Sequence, residues 1–353
     1  MGSCGYLKIS CVLGIIVRIA LKLWAYSGIV LVICFLLYYF YGGYFAFGLL
    51  VFALIGIFYH AQDNFLYYPD LPTHSRVYVP VPTIYGLPYE NVNIVTPDGI
   101  TLHMFFIHQP KDKQHKSPTI VFLHGNAGNI GHRLQNCVGF YHNLSCNILL
   151  VEYRGFGLSQ GSPSEEGLYI DAKASIDYLY GRNDINHSEI IVFGRSLGGA
   201  VAVDLASRVD YADKLWCLIV ENTFTSIPDM ARVLLSWRFI NYIPLFLYKN
   251  KFSSFYKVMH IRTPTLFISG MSDALVPPAM MSELHSRCGS AIKQLLQFST
   301  GTHNETWTVP GYYHGIAIFL QHCRIQNPEK SNKRVDDEKI RVESVKWGTV
   351  VNI

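Results

Sequence analysis

The sequence predicts an α/β fold: a mostly parallel, eight-stranded sheet with helices on both faces. Three observations carry this. Beyond residue 63, short apolar runs such as TIVFL, NILLV, IIVFG, LWCLIV and TPTLFISG each end in Gly, Asn or charged residues. The runs are continuous rather than alternating, which marks strands covered on both faces. Amphipathic stretches such as EEGLYIDAKASIDYLY separate most of them, giving a strand, loop, helix rhythm. In such sheets ligands bind beyond the C-terminal ends of the strands, so functional residues are expected there.

The chain begins differently. Residues 1–22 form a short basic segment in which Lys8, Arg18 and Lys22 are unaccompanied by any acid. From Leu23 to Gln62 there is no Asp, Glu, Lys or Arg, so residues 23–62 read as a transmembrane anchor, with the membrane bilayer as a partner. As one straight helix its apolar part would run about 54 Å, well beyond a hydrocarbon core of about 30 Å. Two arrangements follow. A single crossing with the basic flank held in the cytosol gives a type II protein whose catalytic domain is lumenal or extracellular. A hairpin turned at Gly42-Gly43 instead leaves that domain in the cytosol. The first is the expectation.

Residues 63–325 read as the catalytic domain. YENVNIV and ITLHMFFI flank the Asp98-Gly99 turn as a hairpin. Between the sixth and seventh strands, FINYIPLFLYKNKFSSFYKV breaks the rhythm with aromatics, and a cap is expected at about 224–258, with Phe239, Tyr242 and Phe246 against an acyl tail. Residues 326–353 form a charged tail. Of eight cysteines, Cys137, Cys146, Cys217, Cys288 and Cys323 follow the anchor with no zinc spacing, as buried thiols would. A formal charge of +4 without a long basic run gives nucleic acid no footing. Asn143, Asn186 and Asn304 each open an N-glycosylation acceptor.

The chemistry is concentrated in a few loops. In IIVFGRSLGGA a strand runs into Gly194-Arg195-Ser196-Leu197-Gly198 and a helix follows at once. This is the pattern of a nucleophile elbow, in which the two glycines admit a turn too tight for side chains. A serine hydroxyl needs a base, and the base needs a carboxylate to fix its tautomer. Asp273 and His303 follow in that order, 77 and 30 residues on, each just past a strand. The loop HGNAGN, with Gly125 as its oxyanion-loop glycine, should supply the Asn126 backbone N–H to an oxyanion hole completed by Leu197. Each such donor lowers the barrier by about 3 kcal/mol. His124 reads as a brace for this loop rather than a second base, and Glu152, Tyr153 and Arg154 as loop pins. No metal-ligand spacing, phosphate loop or dinucleotide fingerprint appears, so no cofactor is expected.

Taken together, the elbow, HGNAGN, VEYRG, SGMSD and GTHNETW resemble the α/β-hydrolase domain-containing protein 13 group over nearly the whole chain. That resemblance implies an α/β-hydrolase fold and a membrane-anchored serine hydrolase, with Ser196, Asp273 and His303 on the group's triad positions. Related cytosol-facing members are protein depalmitoylases, and the group is described as single-span. The expected activity is cleavage of acyl esters or thioesters through an acyl-enzyme, an acylated protein or lipid being the substrate and palmitoyl-protein a specific possibility. Similar motifs occur in prolyl-oligopeptidase-type peptidases, so a serine peptidase is the first alternative. A catalytically silent membrane scaffold is the second.

Overall fold

The computed structural model describes residues 27–235 and 238–326, with the side chains of Arg238 and Phe239 left aside. The basic segment at 1–22, the tail at 326–353 apart from Gln326, and the expected contact of Phe239 therefore lie outside the described residues. The chain divides into two compact units. One comprises the residues up to Tyr68 together with Asn241–Lys251, and the other comprises Pro69–Ile240 and the residues from Phe252 onward.

The larger unit holds the expected sheet. Its strands are β1 (Tyr89–Val95), β2 (Thr101–Ile107), β3 (Thr119–Leu123), β4 (Asn147–Val151), β5 (Ile190–Arg195), β6 (Cys217–Glu221), β7 (Thr265–Gly270) and β8 (Lys293–Phe298). They lie in the order β1-β2-β4-β3-β5-β6-β7-β8. β1 and β2 pair antiparallel, with Val95 opposite Thr101 across the Asp98-Gly99 turn. Gly99 there adopts φ 83°, which the absence of a Cβ permits. β2 meets β4 antiparallel, and every later pair is parallel.

β3, β4, β5, β6 and β7 are buried at every position, as their continuous apolar runs require. Phe122 and Phe193 pack on one face, where Leu134 and Phe140 of one helix and Ile316 and Phe319 of another close the layer. Those helices span Leu134–Leu144 and Tyr312–Gln326. Helices Glu165–Tyr180, Leu197–Ser207 and Pro278–Arg287 cover the other face. The five expected thiols are buried and unbridged.

The smaller unit is built on apolar helices. The long run breaks at Gly42 (φ 87°) into α1, Ser27–Tyr41, and α2, Gly43–Leu66. At Gly43 a Cβ would lie 2.7 Å from the Tyr38 ring, so a glycine lets the two helices approach. Leu31, Phe35 and Tyr38 of α1 line one cleft with Ala46, Phe47 and Leu50 of α2. α1 therefore folds back along α2. Of the described helices, only α2 is long and apolar enough to cross a membrane, with a mean hydropathy of 1.9. At the end of α2, Gln62 donates through Nε2 to Leu247 O (2.7 Å) and accepts through Oε1 from Lys249 N (3.0 Å). Asp63 accepts from Asn250 Nδ2 at 2.7 Å and from Lys249 Nζ, and Tyr67 OH donates to Asn250 Oδ1 at 2.9 Å. The middle of the expected cap is thus fastened to the foot of the apolar helix.

Candidate active site

Ser196 sits where β5 turns into the helix Leu197–Ser207, at φ 55° and ψ −120°. A non-glycine residue at positive φ is strained, and it persists only where its surroundings enforce it. Here they do so closely. A Cβ on Gly194 would lie 2.2 Å from Gly198 O, and one on Gly198 would lie 2.0 Å from Leu123 O. Both glycines of the elbow are sterically required. Gly125 is different: a Cβ there would meet only ordinary contacts at 3.6 Å, so no close approach demands its glycine.

Three side chains meet from three strand ends. His303, in the loop beyond β8, has Nε2 3.0 Å from Ser196 Oγ and Nδ1 2.7 Å from Asp273 Oδ2. The carboxylate is itself fixed, because Asp273 Oδ1 accepts from the Leu275 and Val276 N–H groups at 2.8 and 2.9 Å. With Nδ1 donating to Asp273, the lone pair of Nε2 faces the serine hydroxyl. That is the tautomer a general base requires. The next residue, Asn304, is exposed while His303 turns inward. Asn143 is exposed on its helix, and Asn186 is half-buried with its side chain accepting from Ser188 N.

The expected oxyanion donors lie on two elements. Leu197 is the first residue of its helix, where backbone N–H groups have no intrahelical acceptor. Asn126 lies in the loop beyond β3, and that loop is braced from several sides. Asn129 donates to Ser75 O and Tyr78 O (both 2.9 Å), Arg133 to Ala127 O (2.5 Å), and His124 Nδ1 lies 2.7 Å from Gly125 O. Glu152 accepts from Ile130 N at 3.2 Å and approaches His124 Nε2 at 3.5 Å. Both are fully buried, and burial favours their neutral forms. Desolvation pushes the Glu152 carboxyl up to about 8, against opposing help from the Ile130 N–H and Arg133. Desolvation first, and Arg133 second, push His124 down to about 3. A neutral His124 and a protonated Glu152 are a compatible pair. Arg154 ties Asp98 to Asp171, as a loop pin would.

Sequence reasoning passed over the tip of β6. Glu221, Asn222 and Thr223 carry none of the expected chemistry, yet all three hold the groups that do. Glu221 O accepts from Ser196 N (2.9 Å), and its carboxylate holds the Arg195 guanidinium at 2.6 Å. Thr223 Oγ1 donates to Ser196 O at 2.7 Å. Asn222, at φ 47°, donates to Thr302 O and His303 O, both at 3.1 Å, and accepts from Gly270 N at 2.8 Å. The signal available was a polar Glu-Asn-Thr triplet closing an otherwise apolar strand. Among the described residues no group of His, Cys, Asp and Glu is arranged to hold a metal ion.

Comparison with known proteins agrees with this architecture. A family model described as the alpha/beta hydrolase fold matches residues 118–241. The alpha/beta hydrolase domain-containing protein WAV2 of Arabidopsis thaliana is 37% identical over 295 residues, which is 79% of this chain and 93% of the relative. Protein bem46 of Schizosaccharomyces pombe is 37% identical over 78% of this chain and 90% of its own. An uncharacterized membrane protein of Saccharomyces cerevisiae is 34% identical over 74% and 89%. Among solved structures, an esterase from Pyrococcus furiosus superposes with a TM-score of 0.56 at 21% identity, over 70% of this chain and 94% of that one. Identity that low speaks for the fold alone. With an elbow serine, an eight-stranded sheet and relatives alike over nearly their whole lengths, the chain belongs to the alpha/beta hydrolase family.

Proposed function

We propose that the chain is a membrane-held serine hydrolase that cleaves acyl esters or thioesters through an acyl-enzyme on Ser196. The observation that carries this reading is the continuous chain Asp273 Oδ2, His303, Ser196 Oγ, with links of 2.7 and 3.0 Å. In the reaction, His303 Nε2 takes the hydroxyl proton as Ser196 Oγ attacks the acyl carbon, and the Leu197 and Asn126 N–H groups receive the charge on the carbonyl oxygen. His303 then returns the proton to the departing alcohol or thiol. In the second half it deprotonates water, which releases the acid and restores Ser196. Asp273 stays ionised throughout and stabilises the imidazolium.

The membrane half of the reading rests on α2 and on the apolar surface it exposes. Such a site meets substrates that are themselves in the bilayer, of which S-acylated proteins and lipids are the chemical classes. Two orientations follow. α2 crossing alone gives the type II arrangement with a lumenal site. The fold-back of α1 along α2 favours a second arrangement, a hairpin with the hydrolase on the cytosolic side.

A fluorophosphonate probe tests the nucleophile. Wild type should be labelled at Ser196, and absence of labelling in folded protein would leave the silent-scaffold alternative. Running p-nitrophenyl esters, palmitoyl-cysteine peptides and peptide amides on wild type and Ser196→Ala then assigns the class. Turnover confined to amides would make the chain a peptidase.

A further inference from the structure

We infer that Asn241–Lys251 is a membrane foot: a segment of the insertion after β6 that lies in the headgroup region of the leaflet from which α2 emerges. The inference rests on the reading of α2 as a membrane helix. Residues 43–62 of α2 span about 30 Å at about 1.5 Å per residue, which matches one hydrocarbon core. Asp63 is the first charged residue after Lys22. The helix therefore meets the polar boundary at Gln62 and Asp63, the two side chains that hold Leu247, Lys249 and Asn250. A segment fastened to the boundary residues of a membrane helix lies at the level of that boundary.

Its composition fits this place. Tyr242 is 82% exposed, Phe246 74% and Leu245 55%, while the polar partners of the same segment turn to Gln62, Asp63 and Tyr67. Exposed aromatics on a water-facing loop are unfavourable, whereas Tyr and Phe beside the end of a membrane helix gain from the acyl and headgroup boundary. Aromatic side chains outward and hydrogen bonds inward to the helix is the pattern of an interfacial anchor. The consequence for the hydrolase unit is mechanical. Three chain connections join it to the smaller unit, at Tyr68-Pro69, Ile240-Asn241 and Lys251-Phe252, where a simple stalk would give one.

The test uses the full chain in nanodiscs of phosphatidylcholine containing a fraction of phosphatidylcholine with a diazirine near the top of one acyl chain. After irradiation, labelled residues are mapped by mass spectrometry, a readout that needs no catalysis. Labels on α2 and on residues 242–246 are expected. Labels on α2 with none on 241–251 would overturn the foot, and no label on α2 would overturn the membrane reading beneath it. A second measurement compares wild type with the variant Leu245→Asp, at a position 55% exposed. Turnover of a long-chain ester presented in vesicles should fall about tenfold, through KM, while a soluble butyrate ester is turned over as before. Loss that grows with chain length on monomeric esters without vesicles would instead make the segment an acyl pocket. If the labelling result stands and neither ester is cleaved by wild type, the hydrolase reading fails and the foot survives.

Discussion

Phenylalanine is placed in opposite ways in the two units. Phe122, Phe193 and Phe267 in the sheet have no exposed surface, whereas Phe40, Phe47 and Phe52 in the apolar helices are 70%, 66% and 76% exposed. In water the first arrangement gains roughly 25 cal/mol for each Å² of apolar surface buried, and the second gains nothing. The difference teaches that the two units use apolar side chains in opposite ways. One makes a private interior from five continuous strands, and the other leaves its apolar side chains exposed along its helices. The polar groups differ in the same way: the larger unit directs buried hydrogen bonds at the backbone of the elbow serine, the smaller unit at fastening a loop to a helix end.

The largest effect that sharpens this contrast is on turnover. Ser196→Ala or His303→Ala should lower kcat by about 10⁴-fold or more in an ester assay while leaving the melting temperature near wild type, because the members of such a unit fail together. Asp273→Asn should be somewhat milder. Wild-type rates in His303→Ala would remove the base from the scheme. Next comes the core: Phe193→Ala should destabilise the hydrolase unit by about 3–5 kcal/mol in urea unfolding. Phe52→Ala should change the same unfolding free energy by less than about 0.5 kcal/mol, as an exposed site does. Equal losses would erase the distinction between the units.

Asn222→Gly separates strain from hydrogen bonding, since glycine tolerates φ 47° but cannot hold the His303 loop. A fall in kcat of about 10–100-fold with KM unchanged is expected from a misplaced base. If KM moves and kcat does not, Asn222 is not positioning the base.

Glu152 makes a prediction in pH. Its carboxyl is pushed up to about 8 by burial from an ordinary 4.5, so the folded state holds a proton that the unfolded state has lost between these values. Stability is thus fully present below about 4.5 and declines as pH rises toward 8. Glu152→Gln should make that decline shallower in melting scans, and an unchanged slope would place the titration elsewhere. The smallest effect on activity is expected at Asn304, which is exposed and makes none of the contacts that hold Ser196, His303 and Asp273. Asn304→Gln should leave kcat unaltered. If α2 crosses alone, N-glycosidase should shift the mobility of wild type from cells, with part of the shift lost in that variant. No shift with any of Asn143, Asn186 or Asn304 intact marks the hairpin.

Much of this was legible in the sequence for a local reason. Continuous apolar runs announce parallel strands, and Ser196, Asp273 and His303 each follow such a run directly, so a linear reading found both the sheet and the three residues. Asn222 was not legible, because its role depends on β6 lying between β5 and β7, an order set by long-range pairing. The fastening of residues 247–250 to Gln62 and Asp63 escaped for the same reason: single polar side chains leave no periodic trace.

The fastening also sets a timetable. Gln62 and its partner Lys249 are separated by 187 positions, so at about 5–20 residues per second a ribosome delivers the partner roughly 9–37 s after the helix end. During that interval Gln62 and Asp63 lack the partners that residues 247–250 supply, and β1 through β6 are made before the loop arrives. A nascent chain stopped short of Leu247 would hold α2 without its fastening, and that closure within the smaller unit belongs to the last third of synthesis.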